Sequence, residues 1–260
     1  MTDATTGGKF DLACTAVGFN FLSPEVKTAM KVSLPVLQGE YGFAKMYLWG
    51  KLKGMTADYL IAVGVMHSLK EPTKKYFYCS DGATWAQMPE PESPIVEACR
   101  KIPTNVNLNG DPQFQYNIKT EVPEGEEPPE NEEELDVSIT EDVRVAFIVK
   151  EIEGAIAMIP AGAIVPEPKL GIPMINSMFT GLAQEESLAL TSWELLSGLS
   201  ASQQLAGSLK AKYIPAHDLT VLRSLLWPGF AAYTVPRSST WGYVYVGDGK
   251  KNDDIAFSLP

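Results

Sequence analysis

The stretch that decides the fold is LTVLRSLLWPGFAAYTVPRSSTWGYVYVG, residues 219–247. Its apolar segments, 219–227, 230–235 and 241–246, have the length of strands, and a polar linker at 236–240 separates the last two. Two apolar runs joined by a short loop rich in Pro and Ser are typical of a β-hairpin. The sequence therefore predicts a C-terminal hairpin preceded by a further apolar segment.

A second group of strands is predicted between residues 43 and 79. The segment 43–52 and the run DYLIAVGV at 58–65 are rich in aromatic and aliphatic residues, and a third run covers Lys75 to Cys79. Short connections separate these runs, and Asp81-Gly82 is a turn dipeptide. The pattern predicts an antiparallel β-sheet meander.

Several helices are predicted beside these strands. Ser23-Pro24-Glu25 combines an N-cap, a first-turn proline and an acidic residue, so a helix should begin there and be kinked or ended by Pro35. Further helices are predicted from Ser93 to about Lys101, over 140–153 and over 184–196. The fold class is therefore α+β, with a flexible N-terminus at 1–20 and a single domain over 21–260.

The negative charge of the chain is concentrated in one segment. Eleven Asp and Glu residues lie between Thr120 and Asp142, and this stretch contains no Lys or Arg. These residues account for the whole net charge of −11. Prolines interrupt residues 121–136 and few aliphatic residues occur there, so we expect a disordered acidic loop insert. The balanced remainder predicts no binding of nucleic acid or of an anionic membrane surface.

The beginning of the sequence and its apolar runs indicate a soluble intracellular protein. The sequence that begins Met1-Thr2-Asp3 has neither the basic nor the apolar region of a secretory signal peptide. No apolar run reaches the roughly 18 residues that span a bilayer. Cys14, Cys79 and Cys99 are odd in number and far apart, which argues against a disulfide framework or a zinc site. We expect free thiols and no cofactor.

Motifs for catalysis are missing from the sequence. It contains no phosphate-binding glycine loop, no dinucleotide fingerprint and no Gly-x-Ser-x-Gly elbow. Any histidine-dependent mechanism must use His67 or His217, and each of these follows a strand or turn pattern that is typical of surface residues. An unfamiliar hydrolase that uses His217 and Asp218 remains an alternative, as does a soluble acidic adaptor.

The last strand is unusually aromatic. Alternation in a strand places Trp241, Tyr243 and Tyr245 on one face and Gly242, Val244 and Val246 on the other. The three rings are candidates for a partner interface, because Trp and Tyr dominate interface hot spots. Packing inside the protein's own core is the competing interpretation.

The sequence resembles a known family in the same region. The runs VLRSLLWPG at 221–229 and WGYVYVGDGKKN at 241–252, with Tyr233 and Pro236 between them, resemble the C-terminal signature of the radial spoke head protein 9 family. Further blocks occur in the family's order over about 40–260. These blocks are Leu48-Trp49-Gly50, Ala57-Asp58-Tyr59, Gly110-Asp111-Pro112 with Tyr116, Ile159-Pro160 with Gly162-Ala163, and Phe179 with Gly181-Leu182.

The resemblance implies a structural, non-enzymatic subunit of the radial spoke head in the axoneme of motile cilia and flagella. Such heads face the central pair apparatus and help to relay mechanical signals to the dyneins of the doublets. The implied partners are the protein 4 and protein 6 types of head subunit and the MORN-repeat head subunit. Residues 1–20 and 184–212 lie outside the resemblance.

Overall fold

The structure is a computed structural model and describes residues 2–3, 9–66, 73–103, 106–119, 136–166, 173–196 and 207–255. The helices are α1 (Lys9–Val17), α2 (Pro24–Tyr41), α3 (Ser93–Lys101), α4 (Glu141–Ile156) and α5 (Gln184–Leu188). The strands are β1 (Thr2–Asp3), β2 (Lys45–Leu52), β3 (Tyr59–Met66), β4 (Thr73–Cys79), β5 (Ala86–Gln87), β6 (Gln115–Lys119), β7 (Asp136–Thr140), β8 (Met158–Pro160), β9 (Ile164–Pro166), β10 (Pro173–Ile175), β11 (Trp193–Leu195), β12 (Leu209–Ile214), β13 (Leu219–Ser224), β14 (Phe230–Thr234) and β15 (Trp241–Gly247).

Nine strands of the described chain form one large sheet. Its order is β12-β13-β14-β15-β2-β3-β4-β5, with β1 paired to β2. Both predicted groups of strands are present, and the α+β class is confirmed. One pair departs from the antiparallel expectation, because β15 runs parallel to β2, with Tyr245 opposite Gly50. The strands that meet there belong to opposite ends of the chain, so no hairpin turn constrains them to be antiparallel.

A bulge in β2 changes which face its side chains occupy. The register shifts between Leu48 and Gly50, which leaves Trp49 as the extra residue. Before the bulge, Met46 and Leu48 pack on one face of the sheet, whereas Leu52 beyond it packs on the other. Gly50 permits the close approach of β15, since a Cβ there would lie 2.0 Å from the carbonyl oxygen of Tyr245.

Helices α1 and α2 cover one face of the sheet, which we call the α1/α2 face. Ser23 caps α2 by accepting a hydrogen bond from the Val26 N–H (3.3 Å), as its sequence predicts. The helix continues past Pro35 to Tyr41 and ends at Gly42, so of the two predicted effects of Pro35, a kink or an end, the end does not occur. Pro35 lies on the solvent side, while Leu34 and Leu37 are buried and hold the helix on the sheet.

Helix α4 covers the opposite face, which we call the α4 face. Residues Val145, Val149, Ile152 and Ile156 recur at helical spacing and are completely or almost completely buried. The β8–β11 pair lies beside α4 and contributes the buried ring of Trp193 to the same cluster. The two faces together bury apolar side chains on both sides of the sheet.

The N-terminal part of the chain differs from its prediction. Residues 1–20 are expected to be flexible, but 9–17 form α1, with Phe10, Ala13 and Cys14 buried against the sheet. These residues have the i, i+3, i+4 spacing of an amphipathic helix. The stripe consists largely of small side chains, which is why the apolar pattern is weak.

The predicted helix over 184–196 is too long. Helix α5 ends at Leu188, a short 3₁₀ turn follows at Leu190–Ser192, and β11 then pairs with β8. The side chains of Trp193 and Leu195 alternate into the core, which is the period of a strand and not of a helix. The acidic insert predicted at 121–136 lies, apart from Asp136 in β7, outside the described residues.

Candidate functional site

The residues of the hydrolase alternative lie on an exposed turn. His217 ends a 3₁₀ turn between β12 and β13, and Asp218 follows it with a left-handed backbone (φ 45°). The Asp218 carboxylate accepts a hydrogen bond from the hydroxyl of Tyr213 (2.7 Å). Both side chains are exposed, so nothing at this turn excludes water from a reacting group. The other histidine, His67, lies outside the described residues.

The cysteines are buried thiols without the environment of a nucleophile. Burial raises the pKa of Cys79 to about 12 and that of Cys99 to about 11. A thiol with such a pKa is protonated at neutral pH, whereas a reactive cysteine needs a lowered value. Within the described ranges, no cluster of three or more His, Cys, Asp or Glu residues could hold a metal ion. Among the described helices, none is long and apolar enough to cross a membrane.

The three aromatic residues proposed for docking do not share an exposed face. Tyr243 and Tyr245 are 3% and 1% exposed and belong to the core cluster under α4. Tyr245 contacts Trp49, with ring centroids 5.6 Å apart. The alternation was predicted correctly, but the face that carries the rings is covered by the chain itself, so Tyr243 and Tyr245 offer no docking surface. Trp241, at the start of β15, is partly exposed and remains a candidate.

The edge of the C-terminal hairpin is not available for docking either. Strand β15 lies between β14 and β2, so both of its sides are engaged in the sheet. The aromatic strand is therefore a central strand of the molecule. Its enrichment in Tyr and Val agrees with a position that is buried on both faces.

The most elaborate polar site in the described structure is the carboxylate of Glu141, which is completely buried at the N-terminus of α4. Its Oε1 accepts hydrogen bonds from the Tyr59 hydroxyl and the Gly110 N–H, both at 2.6 Å. Its Oε2 accepts from the Asn109 N–H and the Tyr116 hydroxyl, again at 2.6 Å. The positive end of the α4 dipole also favours a negative charge at this position.

These four donors leave the carboxylate no free acceptor site. A carboxylate oxygen has two lone pairs, and each oxygen of Glu141 already accepts two hydrogen bonds. A general base needs a lone pair that can reach a substrate proton. The arrangement therefore joins β3, β6, α4 and the loop at 106–114, and it leaves no lone pair directed at a substrate.

The loop that supplies the backbone donors is held tightly against β3. Gly110 has φ +97°, and a Cβ there would lie 2.4 Å from the Ala57 backbone nitrogen, so this close approach requires glycine. The Asn109 carbonyl accepts hydrogen bonds from the N–H and hydroxyl of Thr56, at 2.8 and 2.6 Å. The donors to Glu141 are thereby fixed in place by the backbone.

Arg144 closes the same site one turn along α4. Its guanidinium donates to the Val106 carbonyl (2.7 Å) and lies 4.6 Å from the centre of the Tyr116 ring. Burial and the hydrogen bond to Glu141 raise the pKa of Tyr59 and of Tyr116, although Arg144 opposes the effect at Tyr116. The tyrosines thus remain neutral donors at physiological pH.

A second carboxylate, Glu153, binds the sheet at the other end of α4. It accepts a hydrogen bond from the Trp49 indole N–H (3.0 Å) and forms an ion pair with Lys74. Burial, followed by the negative charge of Glu153, raises the pKa of both Tyr76 and Tyr243. Glu141 and Glu153 together attach α4 to the sheet by polar contacts.

Sequence reasoning missed the carboxylates of α4 and Arg144. It grouped Glu141 with the solvated acidic segment, whereas the side chain is part of the core. The helix start at Thr140-Glu141-Asp142 was recognised, but a helix start alone does not indicate a buried charge. The available signal was the resemblance, because the blocks containing Tyr59, Gly110 and Tyr116 all meet at Glu141.

Comparison with known proteins supports the resemblance found in the sequence. The family model described as radial spokehead-like protein matches residues 117–260. Curated relatives named radial spoke head protein 9 homolog match over 92% of this chain and 93% of their own length. The human and mouse relatives (Homo sapiens and Mus musculus) are each 32% identical to it, and the cattle relative (Bos taurus) is 33% identical. The chain therefore belongs to the radial spokehead-like protein family.

Proposed function

We propose that the chain is a structural subunit of the radial spoke head in the axoneme of motile cilia and flagella. The observation that carries this proposal is the match of residues 117–260 to the radial spokehead-like family model, and a structural role agrees with the Glu141 carboxylate, whose four hydrogen bonds all join elements of the fold. Membership in the family and the names of the curated relatives support it. We also propose that the protein is not an enzyme.

In this role the subunit assembles with other head subunits, namely the protein 4 and protein 6 types and the MORN-repeat subunit. The head faces the central pair apparatus, and the subunit helps to relay mechanical signals to the doublet dyneins. A relay of force requires a body that does not deform. Two covered sheet faces and the attachment of α4 by Glu141 and Glu153 are suited to this requirement.

The proposal is tested by fractionating axonemes and asking which proteins accompany the chain. Salt extraction followed by size-exclusion chromatography should release the chain together with the other head subunits, in one peak larger than the 28.3 kDa monomer. Detection of the chain in the soluble ciliary or cytoplasmic fraction alone, without head subunits, contradicts the proposal and favours the acidic adaptor.

The hydrolase alternative has its own test. Replacement of His217 by Ala removes the proposed base without touching the core, because the side chain is exposed. Assembly and beating should be unchanged in cells that carry this variant. Loss of beating with normal assembly would support a chemical role for His217 and Asp218.

We further propose that residues 21–260 form a single cooperative domain. Both halves of the chain contribute strands to one sheet and side chains to both core clusters, which supports one unfolding unit. Calorimetry on the isolated subunit should give one transition with equal calorimetric and van't Hoff enthalpies. Two resolved transitions would contradict a single domain.

A further inference from the structure

The large sheet ends differently on its two sides. Among the described strands, β5 ends the sheet on one side and β12 ends it on the other. Strand β5 has only two residues, and an edge strand this short offers another chain little to pair with. Strand β12 has six residues, which is a usual length for a strand in a sheet. Strand β12 is therefore the edge of the described sheet on which a whole further strand fits.

The register of β12 on β13 shows which backbone groups face this edge. The Leu225 N–H donates to the Ser208 carbonyl (2.7 Å), directly before the ladder and in the same register. Because hydrogen-bonded and non-bonded pairs alternate in an antiparallel ladder, the even-numbered residues of β12 bond to β13. The odd-numbered residues, whose N–H and C=O groups point away from the sheet, are Leu209, Ala211 and Tyr213. Within the described ranges, no hydrogen bond reaches these outward groups.

Two lysines make this edge positive. Lys210 and Lys212 share the α1/α2 face with Ile214, which packs against the cluster on that face. Neither lysine forms an ion pair with another described residue. Arg223 lies opposite Lys210 on β13, and its guanidinium donates to two carbonyls at the end of α1 (3.1 and 3.2 Å). These three positive charges therefore have no carboxylate partner in the part of the chain that the structure describes.

Lysines on an edge strand also decide which strands can pair with it. They protect a sheet edge against unwanted association. Antiparallel pairing of β12 with the β12 of a second copy would bring the lysines of both chains together on one face, which is unfavourable. A strand with acidic side chains at the matching positions is attracted instead, because charge complementarity selects one partner and rejects others. The charges of this edge thus favour an acidic strand over a second copy.

We propose that β12 pairs with an acidic strand of a neighbouring spoke-head subunit, which extends the large sheet by one strand. The backbone of that strand bonds to the outward N–H and C=O groups of β12. Its Asp or Glu side chains lie on the α1/α2 face beside Lys210 and Lys212. Its apolar side chains lie on the α4 face beside Ala211, which packs against the core there. This inference rests on the proposed function, because it requires a head in which such a partner is present.

The first test identifies the strand that occupies the edge in assembled spoke heads. Lys212, an exposed residue of β12, is replaced by the photo-cross-linking residue p-benzoylphenylalanine, and Lys31 on the exposed side of α2 carries the same residue in a matched control. Irradiation should link position 212, but not position 31, to a peptide of another head subunit in which Asp or Glu alternates with apolar residues. Cross-links from position 212 to a peptide without this pattern, or only to copies of this chain, overturn the proposal.

The second test reverses the charge of the edge. Lys210→Glu combined with Lys212→Glu should leave the thermal transition of the isolated subunit unchanged or slightly raised, because a carboxylate at position 210 lies opposite Arg223. The affinity of this variant for heads prepared without the subunit should fall about tenfold, since two attractive contacts become repulsive. Lys31→Glu combined with Lys150→Glu is the matched control. It makes the same change of net charge on the exposed sides of α2 and α4, and it should bind as the wild type does.

A third variant tests the backbone contacts separately from the charges. Ala211→Pro removes an outward N–H that takes no part in the β12–β13 ladder, and proline is tolerated on an edge strand in this orientation. The thermal transition should change little, whereas the affinity for heads should fall. Lys212→Pro is the control, because it removes an N–H that bonds to β13, and it should clearly lower the thermal transition. If Ala211→Pro melts normally and binds as the wild type does, the proposed strand pairing is wrong.

The outcomes separate the two proposals. If the wild-type chain joins the heads and the charge-reversed variant of Lys210 and Lys212 binds equally well, the strand-pairing proposal is overturned while the proposed function stands. If the wild-type chain itself does not join the heads, the proposed function fails and the strand-pairing proposal fails with it.

Discussion

The two faces of the large sheet are built by different means. The α1/α2 face consists of apolar and small side chains around Phe10, Leu34 and Phe77, with no buried acidic or basic residue among the described members of its cluster. The α4 face has an apolar cluster as well, but Glu141 and Arg144 are buried beside it and Glu153 binds Trp49. Each face therefore buries a core, and among the described residues it is the α4 face alone that combines this core with completely or almost completely buried charges.

The two faces contribute differently to the fold: the α1/α2 face mainly stabilises it, and the α4 face also fixes its geometry. Apolar burial is not directional, and a face that relies on it tolerates small shifts of the helices above it. Hydrogen bonds of 2.6 Å to Glu141 tolerate no such shift, and they determine where the loop at 106–114 lies on β3. Tyr59, Gly110 and Tyr116 all donate hydrogen bonds to this carboxylate, so the demand for exact geometry lies on the α4 face.

The largest expected effect comes from Glu141→Ala. The substitution leaves two hydroxyls and two backbone N–H groups without their buried acceptor, so the free energy of unfolding should fall by about 3–5 kcal/mol. Urea denaturation measures this decrease in the free energy of unfolding. Asp142→Ala is the matched control at the next position, and it should cost less than about 1 kcal/mol because Asp142 hydrogen-bonds only locally, to the Val143 N–H. A Glu141 variant as stable as this control would contradict the central role of Glu141.

A smaller loss is expected on the opposite face from Leu34→Ala. Leu34 is completely buried under α2, and its truncation should lower the free energy of unfolding by about 2–4 kcal/mol through lost burial and a cavity. The loss should be the same at pH 7 and pH 9, because no charge is involved. Val36→Ala, on the exposed side of α2, is the control and should change stability by less than about 0.5 kcal/mol. A loss of unfolding free energy that depends strongly on pH would mean that charged groups contribute to the stability of the α1/α2 face.

The buried tyrosines of the α4 face should also make the whole protein lose stability in alkali. Burial raises the pKa of Tyr243 and Tyr245 above the value in the unfolded chain, so their protonated forms are favoured by folding. The stabilisation is complete below the unfolded pKa of about 10 and is lost as the pH rises towards the folded value, by up to about 1.4 kcal/mol per tyrosine and pH unit. Denaturant titrations at pH 9, 10 and 11 measure the slope. Tyr245→Phe should make the slope shallower, and an unaltered slope would contradict the assignment.

The smallest effect is expected from the acidic insert. Replacement of residues 121–135 by a short Gly/Ser linker should leave the thermal transition almost unchanged, because this composition has little apolar surface to bury. The exchange retains β6 and β7, whose pairing of Lys119 with Asp136 brings the two ends of the insert together. Differential scanning fluorimetry of the variant and the wild type measures the change in the thermal transition. A decrease of many degrees would show that the insert packs on one of the two faces.

The sequence predicts those parts of the fold that depend on neighbours along the chain. The hairpin at 230–246 and the capped start of α2 follow from period and local chemistry, and both are correct. The missed features depend on contacts between distant residues. The burial of Glu141 requires Tyr59 and Gly110 to come together, and the burial of Tyr243 requires α4 to cover it. Alternation correctly assigned Tyr243 and Tyr245 to one face of the sheet, but it could not determine which face is covered.

The parallel pairing of β15 with β2 has a consequence for how the protein is made. Residues 50 and 245 pair directly although they are about 195 residues apart in the chain, so the contact order of this junction is high. At about 5–20 residues per second, a ribosome needs roughly 10–40 s to synthesise the intervening chain. During that time residues 50–52 of β2 lack their neighbour, because β1 pairs only with Tyr47 and Leu48, and this short edge is open to association with other chains. Completion of the sheet therefore waits for β15, and we expect nascent chains of this protein to depend on chaperones until that strand has been synthesised.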